Sequence, residues 1–141
     1  RAVIMLMHIP KTFTAELLKL IFELGYGEEL LICNGNFPYY SKCRPTVKLN
    51  TTNICRLVCD ILYFYPLDIT NPNPIILMEP AVLSGVMDDY TDAFKKSGFS
   101  SAIEMLPCRD FYEKSKCCTA IVVTSSTVPG SNIILRKGIV L

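Results

Sequence analysis

One short apolar run, Leu30 to Cys33, constrains the fold of this chain more than any other feature. The turn-forming residues Gly25-Tyr26-Gly27 come shortly before it, and the polar residues Asn34 and Asn36 come directly after it. A short run without any polar residue is typical of a strand that is buried on both faces, in a sheet covered by helices. Such a strand places Asn34 and Asn36 at its carboxyl end, where open α/β sheets bind ligands.

Helices and strands are predicted to alternate along the whole chain. Thr14 begins the first helix as its N-cap, and Gly25 ends it. The later predicted elements are a helix from Asn50 or Thr52 to Phe64, a strand from Ile75 to Met78, a helix from Asp88 to Ser97 ended by Gly98, a strand from Ile103 to Leu106, a helix from Asp110 to Cys117, and strands from Thr119 to Thr124 and Ile133 to Arg136. This order predicts one α/β domain over residues 1–141, with three layers and a mainly parallel central sheet between helices.

The composition of the chain argues against some classes of function. The formal net charge is +1 and half of the residues are hydrophobic. This balance gives no basic stripe for nucleic acid, and the high apolar fraction favours extra surface buried between identical subunits. No apolar run approaches the roughly 20 residues that span a bilayer. The apolar start, Arg1 to Met7, is too short for a secretory signal, so we expect a cytoplasmic protein without membrane partners.

The cysteines do not form a metal-binding pattern. The chain has seven cysteines and a single histidine, His8, and no two cysteines have the Cys-x-x-Cys spacing of zinc ligands. We therefore predict reduced thiols and no metal. Cys55 and Cys59 lie four residues apart in a helical pattern, which favours a packed helix face over a pair of ligands.

Several segments together resemble one known family. They are Gly25 to Pro38, Pro66-Leu67-Asp68, Phe111-Tyr112-Glu113, Ala120 to Thr124 and Asn132 to Gly138. In this order they resemble the motifs of the L-fucose mutarotase and D-ribose pyranase (RbsD/FucU) family, and the fucose branch is the closer match. The resemblance implies an RbsD-like fold and a cofactor-independent isomerase that interconverts the α and β anomers of a pyranose such as L-fucose. It also implies a ring-like homo-oligomer, a pentamer or decamer, whose sugar site is shared between neighbours.

The same resemblance assigns roles to six residues. Tyr112 lies in the family's Phe-Tyr-Glu motif and Tyr26 stands at the family's histidine, so both are candidate catalytic residues. The candidates for sugar binding are Asn34, Asp68, Arg109 and Asn132.

The chain departs from the family at several of these positions. The replacements are Tyr26 for histidine, Asn34 for aspartate, Cys108 for arginine, and Gly130-Ser131 for Tyr-Gly. A tyrosine, with an unperturbed pKa of about 10, exchanges protons less readily at neutral pH than a histidine at roughly 6.5. An asparagine cannot take a proton at all, so any carboxylate role passes to Asp68 or Glu28.

Four of the six candidates also have a purely structural interpretation. In that interpretation Tyr112 packs its ring in an interface and binds a water, while Asp68 and Asn132 are turn residues. Arg109 would pair with Asp110 or Glu113 on the surface. For the whole protein, the alternative to an enzyme is a catalytically impaired family member that binds a monosaccharide or has a structural role in an oligomer.

Overall fold

The computed structural model describes residues 6–79, 85–98 and 103–141. Within these residues the chain forms helices and strands in nearly strict alternation. They are α1 (Ala15–Glu23), β1 (Glu29–Cys33), a short 3-10 helix (Tyr40–Lys42), β2 (Thr46–Lys48), α2 (Ile54–Leu62), β3 (Ile75–Met78), α3 (Val86–Ser97), β4 (Ile103–Leu106), α4 (Cys108–Ser115), β5 (Ala120–Val123) and β6 (Ile133–Arg136).

The strands form one sheet in the order β2-β5-β1-β6-β3-β4. The pairs β2–β5, β5–β1 and β3–β4 are parallel, whereas β6 runs antiparallel to both of its neighbours. A parallel return would need a crossover of a dozen or more residues, and only the loop 124–132 separates β5 from β6. The prediction of a mainly parallel α/β sheet is therefore confirmed, with β6 as its one antiparallel strand in the described residues.

Side chains of the central strands alternate between two cores. On one face, Leu30 and Ile32 of β1 pack with buried residues of α1, α2 and α3. On the other face, Leu31 and Cys33 pack with Phe111 of α4. Every residue of β1 is buried, as expected for a strand with helices on both sides. The three predicted layers follow from this alternation.

The helix ends agree with the sequence in part. The Thr14 side chain caps α1 by accepting a hydrogen bond from the Leu17 backbone nitrogen, as predicted. However, α1 ends at Glu23, because Leu24 is already extended before Gly25 is reached. The cap of α2 is Asn53 rather than Asn50 or Thr52, and its side chain accepts from the Arg56 nitrogen at 3.0 Å.

Two further boundaries differ from the sequence prediction. Helix α4 begins at Cys108 and ends at Ser115, two residues earlier than predicted at each end. Strand β2 was absent from the predicted elements because its three residues, only partly buried, have no apolar run. Gly98 ends α3 in the left-handed conformation (φ +81°), which favours glycine and explains the correct prediction there.

All seven cysteines lie in the described residues and are free thiols. Burial raises the pKa of Cys33 and of Cys118 to about 12, so both remain protonated. Cys55 packs against the core cluster of α2, as the helical spacing predicted. A hydrogen bond with Cys55 lowers the pKa of Cys59 to about 7.

Gly138 allows two backbone segments to touch beside the end of β6. Its nitrogen donates to the Pro66 oxygen at 2.7 Å, and a Cβ atom here would overlap the Leu67 carbonyl. Backbone atoms cannot move aside as a flexible side chain can. We expect Gly138→Ala to lower the free energy of unfolding by about 1–3 kcal/mol, measured by urea denaturation.

The matched control for this prediction is Gly25→Ala. The nearest atom to a Cβ at Gly25 belongs to the flexible carboxylate of Glu28, which can shift. Equal stabilities of the two variants would contradict the backbone contact at Gly138.

Candidate functional site

A pocket of about 250 Å³ opens at the carboxyl edge of the sheet. Strands β1 and β3 end at this edge, and β6 begins there because it runs in the opposite direction. Helix α4 and the loop 124–132 complete the walls. The lining residues are Asn34, Asn36, Phe37, Met78, Glu79, Cys108, Tyr112, Thr127, Pro129, Gly130 and Asn132.

Two buried amides fix the floor of this pocket. The Asn132 Oδ1 atom accepts a hydrogen bond from the Asn34 backbone nitrogen at 2.8 Å. The Asn34 Oδ1 atom accepts from the Asn36 nitrogen at 3.0 Å, and its Nδ2 atom donates to the Val128 oxygen at 3.1 Å. These bonds tie the loop after β1 to the loop before β6. An aspartate at position 34 has no N–H to donate to Val128, so the amide has a structural reason to be there.

Tyr112 and Cys108 form the α4 wall. They lie one turn apart, and their hydrogen bond raises the pKa of the Tyr112 hydroxyl above its usual value of 10.0. The Tyr112 ring packs on Phe37, with centroids 5.2 Å apart. The side chain is 37% exposed, so the ring is held while the pocket remains open to a ligand. Tyr112 is thus a protonated phenol at neutral pH, able to donate a proton.

Glu79 brings a carboxylate to the same pocket. It follows β3 directly, as Asn34 follows β1, and its backbone nitrogen donates to the Leu106 oxygen at 2.8 Å. The residue is exposed at the pocket wall.

Tyr26 and Asp68 lie at the opposite edge of the sheet, in the segments that precede β1 and β3. There they line a second pocket of about 350 Å³ together with Thr70 and Gly138. The Tyr26 hydroxyl is 2.9 Å from the Thr70 hydroxyl, which in turn hydrogen-bonds the Asp68 carboxylate. Within one copy of the chain, the structure therefore divides the predicted site residues between the two edges.

Asp68 is held as an ionised carboxylate at this edge. Its side chain is almost completely buried, and its Oδ2 atom accepts from the Arg136 Nε atom at 2.8 Å. Hydrogen bonds from Thr70, followed by the Arg136 guanidinium, lower the pKa of Asp68. Arg136 also reaches Glu29, which pairs with Lys114 at 3.2 Å.

This arrangement predicts an acid dependence of stability. Because the pKa of Asp68 is lower in the folded state than in the unfolded chain, its contribution is complete above the unfolded pKa of about 3.9 and is lost as the pH falls through the folded value. We expect Asp68→Asn to be less stable than the native protein at neutral pH, with a difference that shrinks on acidification. Urea denaturation at neutral and acidic pH measures this, and a pH-independent difference would contradict it.

Arg109 is exposed on α4 and is not among the residues that line the pocket. Its predicted sugar contact stays a prediction. In contrast, Asn34, Asn132 and Tyr112, which lie far apart in the sequence, meet in one pocket.

The described residues contain no group of three or more histidine, cysteine, aspartate or glutamate side chains placed to hold a metal ion. Over the same parts of the chain, none of the helices has the length and apolar character needed to cross a membrane.

Comparison with known proteins identifies the family. A sequence model of the RbsD / FucU transport protein family matches residues 7–140. The chain belongs to the RbsD / FucU family. It is 30% identical to the fucose mutarotase of Danio rerio, over 97% of this chain and 95% of that protein, and 28% identical to the fucose mutarotase of Homo sapiens, over 93% and 92%.

Solved structures agree with the family assignment. The fucose mutarotase of Streptococcus pneumoniae, solved in complex with L-fucose, superposes with a TM-score of 0.90 at 34% identity, over 96% of this chain and 100% of that chain. Bacillus subtilis RbsD, complexed with D-ribose, has a TM-score of 0.74 at 16% identity, over 91% and 95%, which supports the fold alone. The predicted α/β fold and the resemblance to the fucose branch of the RbsD / FucU family are confirmed.

Glu79 is a charged pocket residue that was not predicted from the sequence of this RbsD / FucU family member. The rule that selected Asn34, a polar residue directly after a buried strand, applies equally to Glu79 after Ile75–Met78. It was overlooked because none of the recognised motifs includes it.

Proposed function

We propose that this protein interconverts the α and β anomers of a pyranose, with L-fucose as the first candidate substrate. The observation that carries the proposal is the pocket at the carboxyl edge, where the protonated Tyr112 faces a polar floor built by Asn34 and Asn132. Its support is the likeness over nearly the whole chain to fucose mutarotases, one of them solved with L-fucose.

The reaction needs two proton transfers. One group takes the proton of the anomeric hydroxyl while another gives a proton to the ring oxygen, so the hemiacetal opens to an aldehyde. Closure on the other face of the aldehyde reverses both transfers and gives the other anomer. In this account Tyr112 supplies the proton for the ring oxygen. Asn34 and Asn132 position the sugar through the loops that they tie together, and neither a metal nor a cofactor takes part.

We propose that Tyr26 and Asp68, which line the pocket at the opposite edge, act from a neighbouring subunit. The edge that carries Tyr26 also exposes large apolar side chains, including Phe22 (90% exposed), Ile69 (88%) and Val140 (82%). Pro66 lies between them, lining both the pocket of Tyr26 and a neighbouring apolar pocket with Phe22 and Val140. Burial of such a surface favours a homo-oligomer, which we propose to be a pentamer or decamer.

In such an oligomer Tyr26 meets the carboxyl-edge pocket of the next subunit, and the Thr70–Asp68 chain holds its hydroxyl in place. Asp68 then acts on the sugar only through Tyr26. Arg109 contacts the sugar only in an oligomer that brings α4 close to a bound sugar. We propose a cytoplasmic location for this oligomer.

A second candidate function follows from Asn34. Its amide is engaged on both sides by backbone groups and cannot transfer a proton. With Tyr26 in place of histidine as well, the pocket would bind a monosaccharide without turning it over.

Polarimetry of freshly dissolved α-L-fucose separates the two candidates. A mutarotase shortens the approach to the equilibrium rotation in proportion to protein concentration, whereas a binding protein leaves the rate unchanged. The same assay with D-ribose and D-galactose ranks the substrates. Acceleration for none of the three sugars would overturn the proposed isomerase.

A further inference from the structure

The ring-opening step of the proposed function leaves one role unassigned, that of the proton acceptor. The amides of Asn34 and Asn132 line the pocket but cannot accept a proton, and their oxygens already accept backbone N–H groups. Tyr112 is a protonated phenol at neutral pH, and its hydrogen bond with Cys108 raises the pKa of the hydroxyl further, so this side chain is a donor and not an acceptor.

The carboxylates that the sequence suggested for this role lie at the opposite edge. The Asp68 carboxylate is bound by Arg136 and Thr70. The Glu28 Oε1 atom accepts from the Gly25 nitrogen at 2.6 Å, beside the turn that precedes β1. Both carboxylates are therefore already engaged in hydrogen bonds at that edge.

Glu79 is the carboxylate that lines the pocket among the described residues. Its backbone is fixed to β4 through the Leu106 oxygen, so its position relative to the floor is set by the sheet and not by a free loop. No ion pair among residues 6–79, 85–98 and 103–141 engages its side chain. The carboxylate is therefore available to a ligand.

We propose that Glu79 is the general base of anomer exchange in this protein, opposite Tyr112 as the general acid. This inference rests on the proposed function. In the opening step, Glu79 takes the proton of the anomeric hydroxyl, that oxygen forms the carbonyl of the aldehyde, and the bond between C1 and the ring oxygen breaks. The electron pair of that bond stays on the ring oxygen, which takes the proton of the Tyr112 hydroxyl.

Closure restores both groups. After the aldehyde rotates, the chain hydroxyl returns its proton to the Tyr112 oxygen as it attacks C1. The carbonyl oxygen takes the proton back from Glu79. Atoms and electrons balance without an oxidant, a reductant or a cofactor. The proton acceptor that Asn34 cannot supply is provided by a carboxylate at the end of β3, which β6 separates from β1 in the sheet.

The test is Glu79→Gln, which keeps the size of the side chain and removes the proton acceptor. Anomer exchange of L-fucose is measured by magnetisation-transfer NMR over a range of sugar concentrations. We expect kcat to fall by roughly 100- to 10,000-fold with little change in KM. Glu79→Asp should recover part of the rate, because it restores a carboxylate at a shorter reach.

The matched control is Glu104→Gln on the exposed edge strand β4, which does not line the pocket and should leave the rate unchanged. An active native protein with an unaffected Glu79→Gln variant would overturn the role of Glu79 and leave the proposed function standing. A native protein without any acceleration would overturn both. A loss in Glu79→Gln that appears as weaker L-fucose binding alone, seen in saturation-transfer NMR, would make Glu79 a binding residue and overturn its role as a base.

Discussion

Tyr112→Phe is expected to lower the rate of L-fucose anomer exchange by roughly 100- to 10,000-fold, the usual contribution of a general acid. The substitution removes only the hydroxyl, since a phenylalanine ring can keep the contact that Tyr112 makes with Phe37. The rate of anomer exchange should therefore fall without a large loss of stability. Magnetisation-transfer NMR gives the exchange rate, and thermal unfolding monitored by circular dichroism gives the stability.

The control for Tyr112→Phe is Tyr63→Phe. Tyr63 is 79% exposed and lies just beyond α2, outside the lining of the carboxyl-edge pocket. Tyr63→Phe removes the same hydroxyl oxygen at a position that does not line that pocket. Equal rates in native protein and Tyr112→Phe would mean that Tyr112 only packs its ring, the structural interpretation that the sequence left open.

Phe111→Ala is expected to cost about 3–5 kcal/mol of unfolding free energy, the usual range for removing a fully buried aromatic side chain. Phe111 has 0% exposure and fills the core between α4 and the sheet. Its ring meets Phe37 edge to face at 6.0 Å, and Phe37 supports Tyr112 in turn. We therefore expect the loss of stability to be accompanied by weaker L-fucose binding. Urea denaturation and ligand-detected NMR measure the two effects.

Tyr40→Ala is the comparison for Phe111→Ala. Tyr40 is 88% exposed, so its truncation should change the free energy of unfolding by no more than about 0.5 kcal/mol. If both variants lost the same stability, Phe111 would not be the centre of the second core.

Much of the fold could be predicted from the sequence because its strands are short, wholly apolar runs. Leu30 to Cys33 and Ile75 to Met78 are each buried on both faces, so their composition indicates both the strand and its helical cover. The direction of β6 could not be predicted from its residues, since its apolar run is the same in either direction. It follows from the length of the loop before it.

The residues of the site could be predicted only in part from the sequence. Asn34 and Asn132 were selected by sequence motifs, and the structure places both in the floor of one pocket. The separation of Tyr26 from them could not be seen, because a motif that spans β1 holds residues at both ends of the strand. Five residues of β1 lie between the two edges. Motif order thus does not indicate at which end of the strand each residue lies.

The structure shows what the side chains do at two positions where the sequence differs from the family motifs. At Asn34, where the family resemblance implies an aspartate, the amide N–H donates to the Val128 oxygen and anchors the loop 124–132, but it cannot accept a proton. At Cys108, where the family resemblance implies an arginine, the thiol hydrogen-bonds Tyr112 and raises the pKa of its hydroxyl. In our proposal Glu79 and Tyr112 of one subunit carry out the two proton transfers.

The most direct test of this account is the exchange rate between the α and β anomers of L-fucose at equilibrium, measured by magnetisation-transfer NMR with and without the native protein at neutral pH. The account predicts a rate that rises linearly with protein concentration and returns to the buffer value after heat unfolding. A rate equal to that in buffer, in a sample where saturation-transfer NMR detects bound L-fucose, would contradict it and make the protein a sugar-binding member of its family.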